Sequence, residues 1–565
     1  MNPRALCLPA LLLAALPLCA AAEDVDLLVV HRIKQEAFQN SQLMNYLHVI
    51  ADRNGPRMAG SPAYRRAAEA AVELFREAGI EQAEVQSWGE FGRGWDWRRV
   101  AVQMRSPQDT TLSALPADFS PGSDGPRRGE AIYAPLWGGA HPEPENGDLV
   151  LLAQRIEAYK KRYAGKLRGR MVLLLEPQAW QLPEKAETYR FSDANLAQLH
   201  VGDYSQPAQP GPMPKLQWPL IAYPVDKEQY SRMWDVLPLE FAADRWELEN
   251  RIRSRLFEFL VAEGVAAVLI PGQSARAGVI FQSDFGSYDE RHPLPPPSVA
   301  LMPEHYARIQ RLLARGEKVE LEVDVEALIY PSAPGLNVIA ELPGRGKEIV
   351  MLGAHFDSWH GATGATDNAA GSAVVMEVMR ILKALDLPLR RSVRAALWGE
   401  EEQCLCGSRA YVKQHFADPV SMQLQAEHAL LSAYFNLDNG SGRIRGVYLQ
   451  QNDMARPLFQ AWLGPFAELG VSADTIANTT GTDHLSFNAV GLPGFQFVQD
   501  PLDYVVNTHH SNVDDLSHVN EGDLMQAAAV MATAVYHAAQ REAMVPRKPL
   551  PKALPEKGEL PAILR

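Results

Sequence analysis

Apolar residues fall at helical spacing through Ala63 to Ala78, and the stretch before them, Asn54 to Pro62, is rich in turn formers. A loop is therefore expected to feed a helix. From residue 336 the pattern becomes regular. Ile349-Val350-Met351-Leu352 is a short apolar run that suits a strand buried on both faces, and Ala369 to Leu385 follows with helical periodicity. The alternation repeats with Val393 to Trp398 as strand, Gly407 to His415 as helix, Ala433 to Leu437 as strand, Pro457 to Leu469 as helix and Gly494 to Val498 as strand. Strands separated by helices predict an α/β fold with a mostly parallel, doubly wound sheet. The Ala-rich run Glu521 to Gln540 reads as a closing helix, and residues 545–565, with several Pro and Lys, as a loosely held tail.

Between about 106 and 335 the texture differs. Prolines cluster at 206–219 and 293–297, tryptophans are frequent, and short apolar runs such as Arg170 to Leu175 and Val265 to Ile270 stand between them. This reads as a separate, β-rich domain inserted into the α/β domain. The length of 565 residues agrees, because single cores stop growing near ~250–300 residues. The expected layout is a leader at 1–22, the N-terminal part of the main domain at 23–105, the insert at 106–335, the α/β domain with the candidate chemistry at 336–544, and the tail at 545–565. No internal repeat is visible.

The leader has a basic start at Arg4, a nearly continuous apolar run from Leu6 to Leu18, and Ala20-Ala21-Ala22 before Glu23-Asp24. That is the pattern of a cleavable secretory signal, and the apolar run is too short to span a bilayer. Periplasmic or secreted localisation is expected, with no membrane anchor in the mature form. A net charge of −14 disfavours nucleic-acid and anionic-membrane partners, which call for basic surfaces. A homodimer is compatible with the sequence. Of four cysteines, Cys7 and Cys19 would leave with the leader, so disulfides do not build the fold.

In an open parallel sheet, ligands bind at the carboxyl ends of the strands. The chain places polar residues there: His355 and Asp357 after the first strand, Glu400-Glu401-Glu402 after the second, and Asp438 after the third. Asp367 opens the following helix, and His509-His510 precede the closing one. Each has an ordinary alternative, since an isolated His is usually only a satisfied polar residue, a Glu triplet is often surface, and Asp-Asn is a common helix cap. Their convergence on one rim gives a mixed His/carboxylate set of the type zinc takes, in the number a pair of ions with a bridging carboxylate requires.

These residues, read in order, carry a resemblance. His355-Phe356-Asp357, Gly364 to Gly371 (Gly-Ala-Thr-Asp-Asn-Ala-Ala-Gly), Glu401-Glu402-Gln403 with Gly407-Ser408, Asn436-Leu437-Asp438, and His510-Ser511 with Asp514 resemble the co-catalytic zinc exopeptidases of peptidase family M28. That family includes bacterial leucyl aminopeptidases, glutamate carboxypeptidase and carboxypeptidase Q, and the 106–335 segment resembles the protease-associated domain many members carry. The resemblance implies two Zn2+ ions per chain and peptide substrates. Asp367 would bridge the ions, His355 and Asp438 would complete one site, and Glu402 and His510 the other. Glu401 would be the general base, and Asp357 would orient the His355 imidazole. Any adjacent pair of the Glu triplet could supply base and ligand; anchoring on Gly407-Ser408 selects Glu401 and Glu402. His509 could replace His510, although Ser511 and Asp514 favour the second.

The family often has Gly where this chain has Cys404, with Cys406 beyond it. These two read as small inert thiols, the alternative being a redox-sensitive pair whose disulfide would be strained. Thr482-Asp483-His484 resembles a segment that lines the family's substrate pocket. The competing functions are a binding protein that lost catalysis, a single-zinc cyclotransferase on the same fold, and a lid-domain exopeptidase whose first His and bridging Asp lie farther apart. The end of the peptide recognised stays open: an aminopeptidase needs acidic groups for an ammonium, a carboxypeptidase or dipeptidase needs cations for a carboxylate, and Arg409, Arg443 and Arg445 stand near the rim. An aminopeptidase is the preferred expectation.

Overall fold

The computed structural model describes residues 23–137, 147–177, 186–202, 215–234, 236–272, 277–281 and 284–565. The proposed leader lies outside them.

At the centre of the α/β domain, strands Ile349–His355, Ser392–Trp398, Leu431–Asn436 and Gly494–Gln499 run parallel. Every residue of Ile349–His355 and of Leu431–Asn436 is buried, as expected of largely apolar strands covered on both faces. Antiparallel neighbours extend the sheet at each side, Glu320–Leu342 against Ser392–Trp398 and Ile444–Tyr448 against Gly494–Gln499. The doubly wound sheet expected from the sequence is present.

Helices cover both faces. Ala370–Ala384 and Glu521–Gln540 pack on one, against each other and against Leu27–Gln39. Their small residues allow close approach. A Cβ on Gly371 would stand 2.3 Å from the Leu437 carbonyl oxygen, so this position admits no side chain. Glu521–Gln540 starts where Asn520 caps the Asp523 N–H, with Glu521 and Asp523 in the first turn. Cys406–His415 and His484–Asn488 supply side chains to a second, aromatic core on the other face, around Trp398, Tyr434 and Phe487.

Two long strands, Gln82–Ser106 and Glu320–Leu342, pair antiparallel along almost their whole length, interrupted by irregularities. One half of Glu320–Leu342 joins the central sheet at Ser392–Trp398; its other half joins Arg127–Tyr133 of the intervening segment. From there Arg127–Tyr133, Met171–Leu173, Ala267–Pro271 and Ser298–Leu301 continue as parallel strands. Helices Leu149–Tyr163 and Leu239–Glu263 lie between these strands in the chain and Pro303–Ala314 follows the last of them, so the segment is more helical than the β-rich unit expected. Its helices escape a texture-based reading because polar residues such as Arg245 and Ser254 are buried in Leu239–Glu263 beside Leu248 and Leu260.

The tail corrects the expectation of a loose terminus. Val545 and Leu564 are buried, and the backbone of Leu554 donates to Val420 and that of Gly558 to Trp218. Arg255 of the intervening segment donates to the Ile563 carbonyl, so the tail ties that segment to the α/β domain.

Candidate metal centre

The parallel register decides where the polar residues arrive. His355 pairs with Trp398 and Gly353 with Asn436, so three strands end nearly level and release His355, Glu401-Glu402 and Asp438 at one rim. Gly494–Gln499 leads through the turn Tyr504–Thr508 to His509 and His510 on the same side. Asp367 stands just before helix Ala370–Ala384.

These side chains form two donor triangles sharing one carboxylate. The Nε2 of His355 lies 3.2 Å from Oδ1 of Asp367 and 3.4 Å from Oδ1 of Asp438. The Nε2 of His510 lies 3.4 Å from Oδ2 of Asp367 and 3.0 Å from Oε2 of Glu402. Each triangle therefore uses a different Asp367 oxygen. Two donors of a tetrahedral zinc with bonds near 2.0–2.1 Å stand about 3.3 Å apart, which these four pairwise spacings match; His355, Asp367 and Asp438 all lie close to one another, as do Asp367, His509 and His510, and Glu402 joins the second set through His510. Oδ2 of Asp367 and Oδ1 of Asp438, both among these donor atoms, are buried without a hydrogen-bond partner, as expected of atoms whose partner is a cation. The residues fit metal ions. His509 also comes near, but its Nε2 is 4.0 Å from Asp367 and its side chain is 36% exposed against 18% for His510, so the tighter geometry belongs to His510.

Buried hydrogen bonds fix the rim. The Asp514 carboxylate accepts the N–H groups of Thr366 at 2.7 Å and Asp367 at 3.1 Å, which holds the loop that aims Asp367. Arg57, fully buried, donates to the carbonyls of Phe356, Thr363 and Gly364 and so ties together both ends of the loop after His355. His355 Nδ1 meets the Asp357 backbone carbonyl at 3.1 Å, whereas the Asp357 carboxylate is 3.6 Å away, beyond hydrogen-bond range. That carboxylate instead accepts the N–H groups of Glu401 and Glu402, each at 3.2 Å. Asp357 thus aligns the imidazole through its main chain and the Glu pair through its side chain. Glu400 is fully buried with a left-handed backbone and accepts from Trp88 Nε1 at 2.9 Å, so it turns away from the donor triangles.

The electrostatics follow from packing carboxylates out of water. Burial, reinforced by Asp438, Asp483 and Glu402, pushes Glu401 well above the usual carboxylate range, His355 opposing. Burial and Asp367 do the same to Glu402. Burial would also raise Asp367, but its hydrogen bond to His355 and the attraction of the His509 and His510 imidazoles, exerted when they are protonated, hold it below its ordinary value. Burial lowers His510, which favours the neutral imidazole that metal binding requires.

The centre opens into a chamber of about 600 Å3. Its far wall is helix Leu239–Glu263, which presents Trp246, Glu249, Asn250 and Arg253, residues that nothing in their sequence spacing singles out. Arg253 donates to Glu249 and to the Asp284 carbonyl, each at 2.6 Å. The three rim arginines weighed for carboxylate recognition are engaged elsewhere: Arg409 pairs with Glu240, Arg445 with Asp500, and Arg443 lies near Asp500 and Asp523. Thr482 lines the chamber, while Asp483 and His484 are buried behind it. Cys404 and Cys406 are joined as a disulfide, which corrects the reading of two free thiols. The left-handed backbone of Leu405 between them brings their Cα atoms to 4.9 Å, within bridging range.

Residues 337–535, which include every residue of both donor triangles, match the model of Peptidase family M28. That segment belongs to peptidase family M28. Among M28-type relatives, carboxypeptidase Q of Mus musculus is 27% identical over 302 residues, covering 53% of this chain and 62% of the relative. The chain thus spans about three-fifths of that relative's length. The crystal structure of a peptidase M28 precursor from Shewanella amazonensis SB2B superposes with a TM-score of 0.61 at 21% identity, covering 93% of this chain and 98% of that one. A zinc aminopeptidase from Bacillus subtilis gives a TM-score of 0.52 at 17% identity, covering 89% and 95%. At these identities the structural likeness establishes the fold.

Proposed function

We propose that this chain is an exported dinuclear zinc exopeptidase that removes the N-terminal residue of short peptides. The reading is carried by two donor triangles built on the two oxygens of Asp367, with Glu401 buried beside them and outside both. In it His355, Asp367 and Asp438 hold one ion, and Asp367, Glu402 and His510 the other. When bound, a zinc pair polarises the scissile carbonyl and makes a water acidic near neutral pH. Glu401, given a high proton affinity by burial among carboxylates, accepts that proton and returns it to the departing amine. Asp357 keeps Glu401 and Glu402 in place through their N–H groups. Asp284 offers an acidic group in the chamber for a substrate ammonium, beside Glu249, which Arg253 already engages at 2.6 Å.

The apolar leader supports export, and among the described residues no helix is long and apolar enough to cross a membrane. N-terminal sequencing of the exported protein tests this, with a start near Glu23 expected.

A second reading, a carboxypeptidase or dipeptidase of the carboxypeptidase Q type, is favoured by Arg253, a cation in the chamber that suits an α-carboxylate once it exchanges its bond to Glu249 for the substrate. Purified enzyme offered free dipeptides, N-blocked peptides and C-amidated peptides separates the two. Cleavage of amidated but not N-blocked substrates supports the aminopeptidase; the reverse supports the second reading.

A further inference from the structure

His355 and His510 occupy matching places in the two donor triangles, yet their rings are held differently. The second nitrogen of His355 meets the Asp357 carbonyl at 3.1 Å, whereas Nδ1 of His510 is buried with no hydrogen-bond partner. A metal-ligating imidazole is ordinarily aimed by the bond that its other nitrogen makes, so a different device must aim His510. Its own backbone does not supply one: φ of His510 is 54°, a left-handed conformation that needs support from its surroundings.

Part of that support comes from the intervening segment. Phe281 forms an antiparallel bridge with Ser511, the residue after His510. Beside the bridge the Ile280 carbonyl accepts the Asn512 N–H at 3.2 Å, and the Ile280 N–H donates to Asn512 Oδ1 at 2.6 Å. The Phe281 ring then lies along His510, centroids 5.5 Å apart and planes inclined by 24°, a stacked pair. His509 packs on His510 as well, with centroids 3.6 Å apart, and Trp359 approaches it at 5.6 Å. Ring contacts thus do for His510 what a hydrogen bond does for His355. Of these three rings, Phe281 alone comes from outside the α/β domain.

We infer that Phe281 is a positioning residue for His510, so that the intervening segment governs the affinity of the ion assigned to Asp367, Glu402 and His510 and leaves the ion of His355 and Asp438 alone. The inference rests on the dinuclear reading of the centre. His355 takes its orientation from within the α/β domain, so loss of the Phe281 ring should separate the two ions.

The test is zinc uptake by the full-length chain after metal removal, read as ions per chain by elemental analysis and as stepwise affinities by calorimetry. The wild type should take up two ions. Phe281→Ala should weaken one of them about 10–100-fold and leave the other unchanged, and Phe281→Tyr, which keeps a flat ring, should restore it. If Phe281→Ala misfolds by circular dichroism, Phe281→Leu replaces it with the same expectation, being apolar without a flat face. In a His510→Ala chain, where the contact has lost its target, adding Phe281→Ala should change nothing further. Wild-type affinity for both ions in the Phe281 variants, equal weakening of both, or further weakening in the His510→Ala chain would overturn the inference and leave the dinuclear reading standing. A wild type that takes up fewer than two ions would overturn both.

Discussion

The Asp357 side chain receives the N–H of Glu401 on one oxygen, 3.2 Å away, and by the same carboxylate fixes the start of the turn that carries both glutamates. Two donors need two acceptors. Asp357→Asn keeps the shape and leaves one N–H facing an amide nitrogen. We expect zinc affinity or kcat/KM to drop about 10–100-fold with little change in circular dichroism. Wild-type values for both would show that this carboxylate does not position the pair.

Glu401 lies outside both donor triangles, so its removal should separate chemistry from metal binding. Glu401→Gln is expected to lose about 10²–10⁴-fold in kcat while retaining the wild-type zinc content by elemental analysis. Loss of metal together with activity would make Glu401 a ligand instead.

Four carboxylates, Asp367, Glu401, Glu402 and Asp438, crowd one buried rim, and cations relieve their repulsion. Chelation should abolish hydrolysis and lower Tm, and zinc should restore both. Ligand binding to the native state alone stabilises by about 4 kcal/mol at a thousandfold excess over Kd. Activity that survives exhaustive dialysis against chelator would eliminate the metallopeptidase reading.

Arg57 is the buried tie between the loop after His355 and the segment that leads into helix Pro62–Glu77. Arg57→Met strands three carbonyls, Phe356, Thr363 and Gly364, and should cost on the order of 3 kcal/mol in urea unfolding. Weaker zinc binding should accompany it, because the same loop leads to Asp367.

Burial lowers His360 to about 4, and its Nε2–H donates to the Pro116 carbonyl at 2.8 Å. The folded value lies below the unfolded one, so the unfolded chain binds the proton first. Stability from this group is complete above about pH 6.5 and is lost as pH falls toward 4, roughly 2 kcal/mol of it by pH 5. In His360→Gln the fall in Tm between pH 7 and pH 5 should be smaller than in the wild type; an identical fall would show that His360 does not titrate on unfolding.

The sequence reveals what depends on local pattern. Ile349–His355 and Leu431–Asn436 announce themselves because they are mostly apolar and buried throughout, and Glu521–Gln540 because its cap and periodicity agree. The ligating side chains follow, since strand ends can be located once the strands are. What remained hidden depends on partners distant along the chain. The Asp357 carboxylate reaches Glu401 across 44 positions, and Arg57 reaches Phe356 across 299. Trp246 and Arg253 lie on a helix whose buried face mixes polar and apolar residues, and only the fold brings that helix over the chamber. The Cys404–Cys406 bridge depends on one backbone conformation at Leu405, which composition does not encode.

The paired strands Gln82–Ser106 and Glu320–Leu342 cross side by side from one sheet into the other. A roof hung from a single connection could swing; this one is cantilevered on a two-ply beam and tethered again by the tail at Ile563. Helix Leu239–Glu263, the wall that faces the metal centre, is therefore held from two directions, by the strand pair and by the end of the chain.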